Sequence, residues 1–223
     1  MKSKFSFKLK CSILATCLSI SVFLVLSSMY NLFSAPDVNA QSFAANMTSM
    51  INNGNALASK GDYNGAIALY NKVLEKDPNN VKALYSKGKS LSVLANYSPT
   101  LFNSAIASYD KVLSLDPNNI GALYNRGNAF AKLGNYNSAI ASYDKVISLD
   151  PNNTGALYGK ANALAKLGNY NAALSLYNKM LSVNATDTKA LKSKTDITAK
   201  LNKQKGPVAS TPPLQNTPTS PIK

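Results

Sequence analysis

Histidine is absent from the 223 residues, and the two cysteines, Cys11 and Cys17, both lie near the N-terminus. Without histidine there is no Ser-His-Asp triad and no His-ligated metal site. Without cysteine beyond residue 17, the rest of the chain has no disulfide, no thiol nucleophile and no zinc–cysteine centre. Its stability must come from packing alone. Acidic residues are scarce, ten against 24 Lys and Arg. Several are tied to a recurring turn: Asp77, Asp116 and Asp150 each stand just before a proline. That period argues for a structural role rather than for paired catalytic carboxylates. No glycine-rich phosphate loop follows a strand. The chain reads as a non-enzyme that uses no cofactor and no metal.

What is present is a repeat. Residues 140–153 are nearly a copy of residues 106–119, with looser copies at 67–80 and 174–187. Aligned on the closing proline, four units appear: 47–80, 81–119, 120–153 and 154–187. Three are 34 residues long and the second has 39. Such a period means that one small unit is stacked. In the third unit Ala139, Tyr143, Val146 and Ile147 recur at three- and four-residue spacing, which places them on one helical face. Gly61, Gly134 and Gly168 follow a first helix, where the chain must reverse. Asp-Pro-Asn-Asn then closes the second helix, and Asn80, Asn119 or Asn153 can cap the next one. A lone helix pair would leave an apolar face wet, and stacking buries it.

The second unit replaces the glycine turn with residues 95–100. Ser98 as N-cap and Pro99 at the first helical position predict a longer second helix there. The insertion is either a tolerated surface change or a specificity element. Residues 188–205 carry Ala190, Leu191, Ile197 and Leu201 among six lysines, and predict a capping helix over the last apolar face. Residues 206–223 hold five prolines among Ser and Thr, a composition that predicts a disordered tail.

The period and its offsets resemble the tetratricopeptide repeat, a helix–turn–helix module. Its small eighth position corresponds to Gly54, Gly88, Gly127 and Ala161. The alanine at position twenty corresponds to Ala66, Ala105, Ala139 and Ala173. The aromatic at twenty-four corresponds to Tyr70, Tyr109, Tyr143 and Tyr177. The apolar eleventh position is Leu57, Leu91, Phe130 and Leu164. Pro78, Pro117 and Pro151 stand at thirty-two. Three departures stand out. Ala185 replaces the last proline. Met50, Leu84, Leu123 and Leu157 replace the tryptophan at position four. Asn53, Lys87, Arg126 and Lys160 replace the leucine at seven. Some family members clamp a C-terminal carboxylate with basic and Asn side chains, but Ile51, Ser86, Gly121 and Asn125 here break that set. The resemblance covers residues 47–187. It implies an all-α solenoid of antiparallel helix pairs with a C-terminal capping helix.

In that family the first helix of each pair lines a concave groove. Position five supplies Ile51, Tyr85, Tyr124 and Tyr158. Position nine supplies Asn55, Lys89, Asn128 and Asn162, and position six adds Asn125. Five and nine are one helical turn apart, so each Tyr lies beside its position-nine residue. Phenols offer flat apolar area with a polar tip, and amides can donate to and accept from a peptide backbone. The set therefore suits a protein or peptide ligand in extended form. Alternatively, the tyrosines only shield the helix seam and the asparagines are merely solvated.

Lys2, Lys4, Lys8 and Lys10 precede an uncharged stretch, and residues 13–33 are long enough to span a bilayer of ~30 Å. Val38, Asn39 and Ala40 fit a small-x-small cleavage site. Residues 1–40 are thus a signal peptide or an uncleaved anchor, and both place the repeats outside the cytoplasm. Net charge is +14, or +11 beyond residue 40 with twenty basic residues against nine acidic ones. The lysines are spread out, so nucleic acid is not expected. The basic cap, with Lys189, Lys192 and Lys200, is either a solvated face or an attraction for anionic lipid or polymer. Asn46, Asn96, Asn152 and Asn184 begin Asn-x-Ser/Thr sequons, open to glycosylation where the machinery exists.

Overall fold

The computed structural model describes residues 38–204. The charged N-terminus, the apolar run 13–33 and the Pro-rich tail 206–223 lie outside the described residues. The chain divides into two compact units, residues 1–50 and 51–223. Of the first, only the leading part of one helix is described, and the second holds the repeats.

Among the described residues there are nine helices and no strand. They are α1 (Val38–Ser59), α2 (Tyr63–Lys76), α3 (Val81–Leu94), α4 (Leu101–Leu115), α5 (Ile120–Lys132), α6 (Tyr136–Leu149), α7 (Thr154–Lys166), α8 (Tyr170–Val183) and α9 (Thr188–Gln204). Helix α1 starts well before residue 47, so its first turns, including the candidate cleavage site at residues 38–40, belong to no repeat. From α2 onward each helix packs on the next in sequence. In addition α5 touches both α3 and α7, so first helices of successive repeats lie side by side. None of the described helices is long and apolar enough to cross a membrane.

The interior is built on the aromatic position. Tyr70, Tyr109, Tyr143 and Tyr177 are all at most 1% exposed. Each ring lies against the first helix of its own repeat. A Cβ on Gly54, Gly88 or Gly127 would sit 2.6, 2.6 or 2.7 Å from that ring. The alanines at position twenty are fully buried. Small residues at eight and twenty let the two backbones close on the ring, which is why the spacing of Gly, Ala and Tyr encodes a helix hairpin.

The turns follow from equally local chemistry. Asp77 Oδ2 accepts from Asn80 Nδ2 at 3.0 Å, and Asn80 Oδ1 in turn accepts from the Ala83 backbone N–H at 3.1 Å. The same relay joins Asp116, Asn119 and Ala122, and Asp150, Asn153 and Ala156. One carboxylate therefore orients the amide that caps the next helix. Gly61, Gly134 and Gly168 take positive φ of 89°, 77° and 81°, which fits glycine at these three turns.

The second repeat departs from the expected helix start. Ser98 and Pro99 form a turn whose carbonyls accept from the Leu101 and Phe102 N–H groups. Helix α4 begins only at Leu101, and its cap Thr100 makes no side-chain cap bond. At 15 residues it exceeds the 14 of α6 and α8 by a single residue. At the far end, Ala190 and Ile197 of α9 join Leu157, Tyr177 and Met180 in one cluster. Asp187 caps α9 by accepting from the Ala190 N–H at 3.0 Å.

Candidate functional site

The buried phenols are anchored at their tips. Tyr70, Tyr143 and Tyr177 donate to the Oδ1 atoms of Asn55, Asn128 and Asn162 at 2.8, 2.7 and 2.7 Å. In the second repeat Lys89 stands at position nine. Tyr109 there meets Ser92 Oγ at 3.1 Å instead, and the Lys89 ammonium lies 5.8 Å from the Tyr85 ring centroid. Burial pushes all four phenols above the ordinary tyrosine range, Tyr109 and Tyr177 up to about 12. For Tyr109 the hydrogen bond with Ser92 offsets part of that rise.

A second row of phenols covers the first. The rings of Tyr85, Tyr124 and Tyr158 pack on Tyr109, Tyr143 and Tyr177 with centroids 6.2, 6.1 and 6.1 Å apart. These outer rings are half-buried. Their hydroxyls reach position six of the following unit: Asn125 Nδ2 donates to Tyr85 at 3.0 Å, and Tyr158 meets Ser193 Oγ at 3.3 Å. At Tyr124 the corresponding residue is Gly159, which has no side chain to offer. Gly121 and Gly155 let the Tyr85 and Tyr124 rings approach, since a Cβ there would fall 2.7 and 3.1 Å from them.

A cleft of about 770 Å³ opens over the third repeat, the fourth repeat and the cap. Tyr124 and Tyr158 wall it, with Asn128 and Asn162 between them and Gly155 and Gly159 nearby. Lys132, Lys166 and Lys200 also line it. Of the groove residues picked from the sequence, the cleft gathers Tyr124, Tyr158, Asn128 and Asn162. Tyr85, Asn125, Asn55 and Lys89 are not among its walls. Of the basic cap, Lys200 lines the cleft, whereas Lys189 and Lys192 stand exposed on α9.

Two contacts were not anticipated. Arg126 pairs with Asp110 at 2.8 Å and Lys160 pairs with Asp144, each bridging from position seven to the second helix of the preceding repeat. The replaced leucine of position seven has become an inter-repeat ion pair. Its signal was available: an Asp follows the aromatic in repeats two and three, and a basic residue stands sixteen positions further on. The Asn–Tyr bonds likewise correspond to a constant offset of fifteen, visible but unread.

Family models of the tetratricopeptide repeat match residues 121–153 and 142–175, and a TPR repeat model matches residues 54–92 and 102–134. No curated protein matches the sequence. Among solved structures, the chain is similar to MamA from Desulfovibrio magneticus RS-1, residue 41 to the end. The identity is 20% over 71% of this chain and 87% of that one, with a TM-score of 0.64. A crystal structure of MamA protein is 27% identical over 74% of this chain and 98% of that one, with a TM-score of 0.61. A tetratricopeptide repeat protein from Parabacteroides merdae is 24% identical over 71% of this chain and 60% of that one, at 0.62.

Proposed function

We propose that this chain, which belongs to the tetratricopeptide repeat family, holds an extended protein segment along the first helices of its repeats, across Tyr85, Tyr124 and Tyr158. The repeats make it a protein–protein interaction scaffold. The seat of the partner in the groove, and presentation outside the cytoplasm for complex assembly, are our reading. The observation that carries the groove is the cleft walled by Tyr124 and Tyr158, whose half-buried rings offer apolar area beside oriented amides. Export rests on the lysine-flanked apolar run 13–33 and the small residues before Gln41.

A photo-crosslinking residue at position 124 should capture a partner in the native host, and one at Tyr97, which is 89% exposed on the insertion, should not. A Tyr124→Ala, Asn128→Ala double variant should lose that partner, and unchanged binding would overturn the groove reading. The intact mass and fractionation of the native protein test export. A full-length chain recovered free in the cytoplasm counts against both signal peptide and anchor.

The exposed lysines of α9 favour a second reading, an envelope binder of anionic polymer or lipid. It predicts affinity that falls steeply with salt. Because Lys200 also lines the cleft, charge reversal at Lys189 and Lys192 separates the two readings.

A further inference from the structure

Three features of the cleft bear on the chemistry of its occupant. The first is the direction of its hydrogen bonds. Asn128 and Asn162 each accept a phenol hydrogen bond at Oδ1, from Tyr143 and Tyr177, which orients the amides and leaves their Nδ2 donors for a ligand. The Tyr124 hydroxyl is also open. Its counterparts Tyr85 and Tyr158 are bonded from position six, but Gly159 leaves Tyr124 with no protein hydrogen bond among the described residues. With the Tyr143 ring placed as it is, a Cβ at Gly159 would lie 2.6 Å from its Cζ, so a side chain there would force the ring to shift.

The second feature is a column of charge. Lys132, Lys166 and Lys200 occupy the same position, thirteen, in the third repeat, the fourth and the cap, 34 residues apart. Among the described residues none of the three forms an ion pair. Asp196 is the single acidic side chain on the same walls. Ser59 and Val93 hold the position in the first two repeats, so the column exists only where the cleft does. The third feature is the phenol walls, which offer flat apolar area that a bare polyanion would leave uncovered.

Building on the groove reading above, we infer that the segment seated here is an acidic peptide, with carboxylates facing Lys132, Lys166 and Lys200 and an apolar or aromatic side chain against the Tyr124 and Tyr158 rings. Its backbone carbonyls accept from Asn128 and Asn162. The charges sit at an exposed rim, so they act mainly through selection and association rate, and their effect fades with salt.

The test is a display selection of random 15-residue linear peptides on the full chain, followed by affinity measurement of the winners. Winners rich in Asp and Glu around an apolar residue are expected. Lys132→Glu with Lys166→Glu should weaken them at least tenfold, and Lys189→Glu with Lys192→Glu should change them less than threefold. Tyr124→Phe, which keeps the ring and removes the hydroxyl, should weaken them a further two- to fivefold. Circular dichroism confirms that each variant is folded. Winners without acidic residues, lost on Tyr124→Ala, overturn this inference and leave the groove reading standing. Acidic winners lost only with the Lys189, Lys192 pair overturn it in favour of the cap. No winners, with inorganic polyphosphate bound through Lys132 and Lys166, overturn both readings in favour of an anionic polymer.

Discussion

The second and third repeats bury the same phenol with different surroundings. Tyr143 in the third repeat donates to Asn128 and lies close to two helix backbones, at Gly127 and at Gly159. Tyr109 in the second repeat has Gly88 alone, because Asn125 stands where Gly159 would, and its hydroxyl meets Ser92. Lys89 at position nine has no acceptor to offer a phenol, and its ammonium lies near the Tyr85 ring instead. The packing position is copied faithfully while the polar tip is rewritten. The fold depends on the first and leaves the second free to vary. A repeat can therefore change its surface without changing its fold.

The largest expected effect tests what the two repeats share. Tyr109→Ala and Tyr143→Ala should each lose about 3–5 kcal/mol, as buried aromatics do, read by urea unfolding of the full chain. A gap of more than ~2 kcal/mol between them would show that the repeats are not energetically equivalent. The next effect tests the close approach that both repeats use. Gly127→Ala would place a methyl 2.7 Å from the Tyr143 ring, which also lies close to Gly159. Overpacking of this kind costs about 1–3 kcal/mol, less up to ~1 kcal/mol of gained helix propensity. Gly88→Ala should cost a similar amount, because its methyl would fall 2.6 Å from the fully buried Tyr109 ring. Ala161 opposite the fully buried Tyr177 shows that a methyl at position eight is tolerable in one repeat.

Alkaline pH sharpens the same contrast. The phenol pKa values are raised on folding by burial. The folded state therefore keeps its protons to higher pH than the unfolded chain, whose tyrosines ionise near 10. The sign follows from linkage: the stability is fully present at about pH 9 and below, and is lost as pH rises through 10 towards 12. Urea midpoints at pH 8, 9 and 11 should be level between the first two and fall at the third. Tyr143→Phe should make that fall shallower. Midpoints that are flat to pH 11 would mean that the phenols titrate as if exposed.

Much of this fold is legible before any coordinates. The Gly–Ala–Tyr offsets specify which small residues face which ring, and Asp-Pro-Asn-Asn specifies where a helix stops and the next is capped. Both signals are local, and local chemistry can be read from a string. The start of α4 was misplaced because Ser98 and Pro99 fit a helix start, but their carbonyls are taken by a turn that delays it to Leu101. The site was less legible. Tyr124, Tyr158, Asn128 and Asn162 follow from the family's groove positions, and the one-turn spacing puts each Tyr beside its Asn. That the asparagines spend their carbonyls on Tyr143 and Tyr177 depends on how two helices cross, which spacing along one helix does not show. The lysine column is faint in the string for a related reason: its members are 34 residues apart and meet only through stacking.

The smallest effect lies at the seams. Arg126 reaches from the third repeat to Asp110 of the second, and its Nε also donates to Ser142 Oγ at 3.2 Å. Lys160 repeats the pairing with Asp144 one seam later, as a point charge without a fork. The basic side chains are about a quarter exposed and the carboxylates about half. Exposed pairs contribute roughly 0.2–1 kcal/mol, and long side chains lose entropy to form them. Arg126→Ala should therefore cost more than Lys160→Ala, with both within about 1 kcal/mol. In 1 M salt the Lys160 effect should nearly vanish, while part of the Arg126 effect persists through its contact with buried Ser142. If Lys160→Ala proved the costlier, the seams would be held by something other than these charges, and position seven would need a packing explanation like that of the leucine it replaced.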